Sequence, residues 1–212
     1  MTILQINVIY AQMKLRPDLD VISDIVPEGA KLLDIGCGEG ELLEMLKKKK
    51  NIIASGIEID QDKVTSCLQK GLSVLQGDVD EDLQHYPDNG FDYAVLTQSL
   101  QVTKYPDKIL HEVLRIANHA IVSIPNFGYW ENRLQLLLHG RMPVTKKLSY
   151  QWYETPNIHF CTIRDFVILC NDLDIKIEKK LAIKPSGKII SFNNSITMAN
   201  YFAETGIFLI GR

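Results

Sequence analysis

The stretch LLDIGCGEGELL, residues 32–43, places three glycines at alternate positions between two apolar segments. The apolar run around Leu32 and Leu33 is typical of a buried β-strand, and the leucine-rich run after Gly40 favours an α-helix. Glycine loops between a strand and a helix bring the backbone close to a bound ligand. The stretch therefore predicts a ligand-binding loop in an α/β fold.

Two phosphate-binding loops are disfavoured by the residues at fixed places in this stretch. A dinucleotide-binding loop needs a small residue five positions after its first glycine, and after Gly36 that position holds Glu41. Glu39 and Glu41 would also repel a pyrophosphate at the helix N-terminus. A P-loop is excluded because no Lys-Ser or Lys-Thr pair follows the glycines.

S-adenosylmethionine suits the acidic loop better, because its sulfonium and amino groups are positive and it carries no phosphate. Glu58 in GIEID ends the next predicted strand and is placed to accept hydrogen bonds from both ribose hydroxyls. Asp78 in QGDVDE ends the third predicted strand and is placed to accept from the adenine amino group. The alternative is that Glu58 is a solvated strand-end acid and Asp78 a turn residue. The predicted cofactor-binding residues are Asp34, Gly36, Gly38, Glu58, Ile59, Asp78, Val79 and Gln98.

Strand-like and helix-like segments alternate along most of the chain, which predicts a mostly parallel sheet with right-handed crossovers. The fold class is therefore α/β, a single Rossmann-like three-layer α/β/α domain over residues 1–212. Two long segments near the end predict an antiparallel pair, joined by a polar loop, KPSGKIISFNN. The predicted helices include 40–49, 60–69, 106–116 and one that Thr162 caps; the predicted strands are 31–35, 52–58, 72–76, 91–97, 120–124, 175–183 and 201–210.

Composition excludes several classes of protein. The net charge of −3 and pI near 6.0 give no electrostatic case for nucleic-acid binding. No apolar run approaches the ~18 residues of a membrane helix, and no secretory signal pattern is present, so we expect a cytoplasmic protein. The four cysteines have no metal-ligand spacing, and we expect reduced thiols and no metal site.

Residues 127–157 form an insertion too long for a simple connection. Its helical part, NRLQLLLHG, has Leu134, Leu137 and Leu138 on one side, which would cover either the domain itself or a partner chain. The segment SYQWYETPNIHFC is rich in aromatic residues and predicts either a lid over a substrate or a packed loop. No residue qualifies as a catalytic base, so the catalytic residues remain unknown; the polar and aromatic candidates near a substrate are Gln98, Tyr150, Trp152, Tyr153, Asn157 and His159.

Several longer motifs indicate a specific protein family. RPDL, VPEGAKLLDIGCGEGELL, GIEID, QGDVDE, FDYAVLTQSLQ and SIPNFGYW resemble the methionine biosynthesis protein W (MetW) family, within the class I S-adenosylmethionine-dependent methyltransferases. The match runs from about residue 16 to 173, and residues 133–166 are its most specific part. The resemblance implies a seven-stranded sheet with an antiparallel last strand. It also implies S-adenosylmethionine or S-adenosylhomocysteine as the ligand and a homoserine O-acyltransferase as the partner.

Three functions from different classes are compatible with these patterns. The chain is an accessory subunit of a homoserine O-acyltransferase, a methyltransferase acting on a small metabolite, or a scaffold that has kept only the fold. Glu58 and Asp78 disfavour the scaffold. The resemblance and the missing catalytic base together favour the accessory subunit over the methyltransferase.

Overall fold

The computed structural model of the chain describes residues 16–145, 148–192 and 195–212; residues 1–15 of the predicted domain lie outside these ranges. The described residues form one eight-stranded sheet with helices on both faces. The strands are β1 (Lys31–Ile35), β2 (Ile53–Glu58), β3 (Ser73–Gln76), β4 (Phe91–Thr97), β5 (Ala117–Pro125), β6 (Lys176–Ile183), β7 (Ile189–Ser191) and β8 (Thr205–Gly211). The helices are α1 (Pro17–Ile25), α2 (Glu41–Lys50), α3 (Gln61–Gln69), α4 (Val79–Asp82), α5 (Pro106–Ile116), α6 (Trp130–His139), α7 (Ile163–Asp172) and α8 (Ile196–Phe202).

The strand order is β3-β2-β1-β4-β5-β8-β6-β7, which confirms the predicted α/β class. Strands β1 to β5 are parallel, and β8 runs antiparallel to both β5 and β6, as predicted for the last strand. The expected count of seven strands is wrong, because residues 189–191 of the predicted polar loop pair with β6 as an eighth strand. The predicted strand 201–210 is also wrong at its start. Tyr201 and Phe202 end helix α8, and β8 begins at Thr205.

Alternation along the strands supplies two apolar cores, one on each face of the sheet. In β1, Leu32 packs into one core while Leu33 and Ile35 pack into the other. Helices α1, α2 and α3 cover the first face, and α5, α7 and α8 cover the second. This three-layer packing leaves the carboxyl ends of the parallel strands as an open edge where loops can hold a ligand.

Within the described ranges, no helix combines the length and apolar character that a membrane crossing requires. Those same ranges contain no cluster of three His, Cys, Asp or Glu side chains able to hold a metal ion. All four cysteines are free thiols.

A buried amide at the end of β5 fixes the start of the insertion. The Asn126 side chain donates to the carbonyl oxygens of Asn200 at 2.9 Å and Ala203 at 2.7 Å. Its Oδ1 accepts from the backbone N–H groups of Gly128 at 3.0 Å and Ile163 at 3.3 Å. One side chain therefore joins β5, the insertion, α7 and α8, and is itself buried.

We predict that Asn126→Ala lowers the free energy of unfolding by about 3 kcal/mol or more. The substitution leaves the buried backbone donors and acceptors that now bond to Asn126 without a partner, and each such group costs about 1–3 kcal/mol when unpaired. Urea denaturation measures the change. The matched control is Asn171→Ala on the exposed end of α7, which should change stability by less than about 0.5 kcal/mol. Equal effects of the two substitutions would contradict the anchoring role.

Candidate functional site

The residues predicted to bind a cofactor come to one edge of the sheet. The Ser99 hydroxyl donates to the Ile35 carbonyl oxygen at 2.8 Å, which ties the loop after β4 to the end of β1. The backbone N–H of Gly77 donates to the Glu58 carbonyl oxygen at 3.0 Å, which ties the loop after β3 to the end of β2. The ends of four adjacent parallel strands thereby carry Asp34 and the glycine loop, Glu58 with Ile59, Asp78 with Val79, and Gln98.

The three loop glycines do different work, although all have positive φ. A Cβ on Gly36 would lie 2.9 Å from Ser99 Cβ, and a Cβ on Gly40 would lie 2.5 Å from Leu72 Cδ1, so both positions are closed by packing. Gly38 has a φ of 55°, and a Cβ built on it would have no atom within 4 Å among those considered. Two glycines thus let the loop pack tightly, and the third exposes backbone towards free space.

Glu58 braces this loop from the neighbouring strand. Its Oε2 accepts from the Gly38 backbone N–H at 2.8 Å, and its Oε1 accepts from the Asp60 N–H at 3.1 Å. Only 6% of Glu58 is exposed, so it is not the solvated acid of the alternative interpretation. Each carboxylate oxygen can accept a second hydrogen bond, so the group can also receive ligand hydroxyls.

A cavity of about 190 Å³ lies against the first half of the glycine loop. Two of its lining residues carry buried oxygens, Asp34 Oδ1 and Thr97 Oγ1, with no hydrogen-bond partner among the described residues. Buried polar atoms in folded proteins are almost always paired, so each unpaired one needs an explanation. Here both unpaired oxygens belong to residues that line the same cavity, which is the arrangement expected of a site for a hydrogen-bond donor.

The carboxyl group of Asp34 is electrostatically unusual. Its pKa is raised to about 7, chiefly by burial and to a smaller extent by the nearby Glu58 charge, whereas the charge of Arg16 opposes the shift. A buried carboxyl without an ion pair is protonated more readily because the charged form loses its hydration. A cation entering the cavity would reverse this shift by stabilising the ionised form.

The other predicted residues form a rim outside the lining of this cavity. Ile59 follows Glu58 and is 62% exposed. Val79 is half-buried and packs against the core. Asp78 caps helix α4 through Oδ1, which accepts from the Asp80 N–H at 2.9 Å, so the turn-residue alternative describes part of its role.

Gln98 has a strained backbone, with φ of 55° in a residue that is not glycine. Such conformations persist where the surroundings impose them, and they cluster at functional sites. The buried side chain of Gln101 donates to the Gln98 carbonyl oxygen at 2.6 Å and to Asn157 Oδ1 at 3.3 Å. The Gln101 carbonyl oxygen accepts from the backbone N–H groups of Ile158 and His159, each at 3.0 Å. Gln101 therefore fastens the insertion to the rim of the site.

The insertion does not place a base in the cavity. His159 is exposed, and Trp152 and Tyr153 also face solvent, so none of these side chains lines the cavity. The titratable groups that line the cavity are Arg16, Asp34, Cys37, Glu39 and Glu41, with no imidazole, lysine or phenol among the lining residues that the structure describes. Burial also raises the pKa of the Cys37 thiol, so this group is not a thiolate.

Sequence reasoning missed two polar lining residues that lie outside the glycine loop, Arg16 and Thr97. Arg16 holds the buried Asp18 carboxylate through two hydrogen bonds, at 2.9 and 3.4 Å, and approaches Glu41 at 3.6 Å. Arg16 opens the motif RPDL, and Thr97 directly precedes Gln98, so both lay beside recognised signals. Their position on the cavity depends on how α1 and β4 pack, which spacing does not reveal.

Comparison with known proteins agrees with this architecture. The family model described as "Methionine biosynthesis protein MetW" matches residues 16–210. A curated relative, the bifunctional methionine biosynthesis protein MetXA/MetW of Rhodopirellula baltica, is 31% identical over 180 residues, covering 81% of this chain and 29% of the relative. Ajmaline N-methyltransferase of Rauvolfia serpentina is 24% identical over 156 residues, covering 70% of this chain and 53% of that protein. The chain thus spans less than two thirds of either relative.

Among solved structures, an S-adenosylmethionine-dependent methyltransferase from Thermotoga maritima, described as a possible histamine N-methyltransferase, superposes with a TM-score of 0.68. It is 18% identical, and the match covers 92% of this chain and 87% of that one, so it demonstrates a shared fold. The family match runs from Arg16 to Ile210, so it includes β1 to β7 and all but the last residue of β8. This chain therefore belongs to the methionine biosynthesis protein MetW family and has the fold of the class I S-adenosylmethionine-dependent methyltransferases.

Proposed function

We propose that this protein binds S-adenosylmethionine or S-adenosylhomocysteine at the strand-end site and serves as the accessory subunit of a homoserine O-acyltransferase. Ligand binding is supported by two buried oxygens without a hydrogen-bond partner, Asp34 Oδ1 and Thr97 Oγ1. Both belong to residues that line one cavity of about 190 Å³. The role as an accessory subunit is supported by the relative from Rhodopirellula baltica, a bifunctional protein whose name joins MetXA with MetW.

The residues present fit an adenosyl amino acid. Its ammonium group supplies the donors and the positive charge that Asp34 and Thr97 lack. The acids of the cavity, Glu39 and Glu41, disfavour a phosphate at the same place. An apolar side chain as exposed as Ile59 beside the polar rim suits the face of an adenine ring.

The positions of these residues assign each of them to one part of the ligand. Asp34 and Thr97 would hold the amino-acid end, and the backbone at Gly36 and Gly38 would contact the middle of the ligand. Glu58 would accept from the ribose hydroxyls while it keeps the loop in place, and Asp78 from the adenine amino group; Ile59, Val79 and Gln98 would line the adenosyl half. S-adenosylmethionine brings an electrophilic methyl group, whose transfer requires an acceptor held in line with the sulfonium.

A second candidate, a methyltransferase acting on a small metabolite, is favoured by the 24% identity to an N-methyltransferase. A protonated acceptor would need a base at the reacting atoms. Asp34 has a suitable pKa of about 7, but it lies at the end of β1 beside the glycine loop, in the part of the cavity assigned to the amino-acid group. We therefore rank the accessory function first.

We predict that S-adenosylhomocysteine at about 100 times its Kd raises the melting temperature by about 5–10 °C, through binding to the folded state alone. Methylthioadenosine lacks the amino-acid group that Asp34 would bind, and NAD carries a pyrophosphate; neither should match this shift at equal concentration. Differential scanning fluorimetry measures it. A shift with NAD, or none with either adenosyl amino acid at millimolar concentration, would contradict the assigned ligand.

The raised pKa of Asp34 makes binding depend on pH. The ammonium group pairs with the ionised carboxylate, so the affinity for S-adenosylhomocysteine should fall by up to about tenfold for each pH unit below 7. Titration calorimetry between about pH 5.5 and pH 8 measures this dependence. In Asp34→Asn the binding should be weak throughout, and the exposed control Asp24→Asn should behave as the unaltered protein does. An affinity that stays constant across this range would argue against Asp34 as the ammonium partner.

The same group should make the ligand-free protein less stable at high pH. The folded state holds a proton on Asp34 that the unfolded chain releases between about pH 4 and pH 7, so the free energy of unfolding falls as pH rises through this window. Asp34→Asn removes this penalty and should stabilise the ligand-free protein at about pH 8, by at most about 4 kcal/mol. Urea denaturation of both proteins at about pH 5 and pH 8 tests the sign, and a variant less stable at pH 8 would refute it.

For the partner, we predict that this chain co-purifies with the homoserine O-acyltransferase of its own organism and increases acyl transfer to homoserine. Separate affinity tags on the two chains and an assay of the acyltransferase with and without this protein measure both effects. The acyltransferase alone is the control. Absence of a complex, together with methylation of a small metabolite by the purified chain, would replace the accessory function by the methyltransferase.

A further inference from the structure

The cavity beside the glycine loop contains groups of both charges. Arg16 supplies a guanidinium, and Asp34 supplies the buried carboxyl whose Oδ1 has no hydrogen-bond partner among the described residues. Burial raises the pKa of Asp34, and the charge of Arg16 opposes this shift, so the two groups are close enough to interact. A cavity for a cation alone has no need of an arginine, and the guanidinium therefore calls for an explanation of its own.

Arg16 directly precedes helix α1, and the first turn of this helix holds its side chain in place. The Nη2 and Nε groups donate to the two carboxylate oxygens of Asp18, at 2.9 and 3.4 Å, and Asp18 is itself buried. Such a two-point contact fixes the plane of a guanidinium more firmly than a single hydrogen bond does. The fold therefore positions Arg16 on the cavity before any ligand arrives.

The guanidinium keeps donors for a further partner. A guanidinium has more N–H groups than one carboxylate can accept from, and the contact with Asp18 uses only the Nε and Nη2 atoms. Nη1 lies 3.6 Å from Glu41 Oε2, beyond hydrogen-bonding distance, and the Glu41 side chain is largely exposed. An exposed ion pair of this kind contributes little, so Nη1 is available to an anionic group of a ligand.

An α-amino acid carries the complementary pair of charged groups. Its ammonium donates hydrogen bonds, which suits the unpaired oxygens of Asp34 and Thr97, and its carboxylate accepts them, which suits Arg16. A phosphate could also meet Arg16, but it has no donor for those two oxygens. An amine without a carboxylate would be repelled by Arg16. A ligand with both groups close together satisfies all three side chains at once.

We infer that Arg16 binds the α-carboxylate of the adenosyl amino acid and makes the site specific for a ligand whose amino-acid end is intact. This inference rests on the ligand proposed above. It goes beyond that proposal because it assigns the carboxylate to a residue at the start of α1. Among the described lining residues Arg16 is the one cation, so no other side chain of the cavity can take its place.

The test compares S-adenosylhomocysteine with its decarboxylated analogue, which keeps the ammonium, the ribose and the adenine. The unaltered chain should bind the complete ligand at least about tenfold more tightly, because the analogue lacks the charge-assisted contact with arginine. In Arg16→Gln the complete ligand should bind at least about tenfold more weakly, whereas the affinity for the analogue should change by less than about threefold. Titration calorimetry at about pH 8 measures all four affinities.

The matched control is Glu41→Gln, which also removes the contact between Arg16 and Glu41 but keeps the guanidinium. This substitution takes away a carboxylate that competes for Nη1. It should therefore tighten the binding of S-adenosylhomocysteine by up to about fivefold, and it should not tighten that of the analogue. A loss of affinity as large as that in Arg16→Gln would mean that Arg16 acts only through its contact with Glu41, and it would overturn the inference.

Arg16→Gln also leaves the buried carboxylate of Asp18 without its ion pair, which lowers stability. If this variant does not fold, Arg16→Lys replaces it, since lysine keeps a positive charge for Asp18 but lacks the planar fork that serves two carboxylates. Arg16→Lys should lower the ratio of the two ligand affinities at least about threefold. An unchanged ratio in a folded Arg16→Lys protein would contradict the inference.

The affinity ratio separates this inference from the function on which it rests. If the unaltered chain binds neither ligand at millimolar concentration, the proposed ligand itself is wrong. If the unaltered chain binds both ligands equally well, the ligand stands and Arg16 does not bind the carboxylate. If Arg16→Gln weakens both ligands by the same factor, Arg16 only supports the structure of the site, and the inference is overturned.

Discussion

The hydrogen bonds that Glu58 accepts from the backbone of Gly38 and Asp60 hold together the edge of the fold at which the parallel strands end. Both contacts, at 2.8 and 3.1 Å, use one buried carboxylate at the end of β2 to fix the glycine loop after β1 and the turn into α3. The loop needs this support because glycine adopts positive and negative φ almost equally well, so its three glycines do not by themselves fix the loop in the positive-φ conformation that it has. Removing the carboxylate would release the loop and the helix that follows it, and would also take away the acceptor that we propose for the ribose hydroxyls.

The strand-end residues could be predicted from the sequence because their spacing follows from the fold. Parallel strands must end at one edge, so Glu58, Asp78 and Gln98 could be placed beside the glycine loop without a structure. Arg16 and Thr97 could not, since their place on the cavity depends on how α1 packs against α2 and on the depth at which β4 ends.

The errors near the end of the chain also have physical causes. Tyr201 and Phe202 suit a strand by propensity, yet α8 buries Ala199 in the core and carries these aromatic residues on its exposed last turn. Strand β7 has three residues and pairs along one side only, so its sequence carries no alternating pattern long enough to detect. The leucines of α6, of which Leu137 is 80% exposed, show a further limit, because an apolar stripe looks the same whether the chain itself or another protein covers it.

Strand β8 has a consequence for how the protein is made. All seven of its residues are buried, and it lies between β5 and β6, although it is the last of the eight described strands to be synthesised. In the described sheet β6 pairs with β7 and β8 alone, so the β6–β7 hairpin cannot join the sheet until residues 205–211 have left the ribosome. Until then β5 presents an unpaired apolar edge, on which a nascent chain depends on protection from wrong pairing.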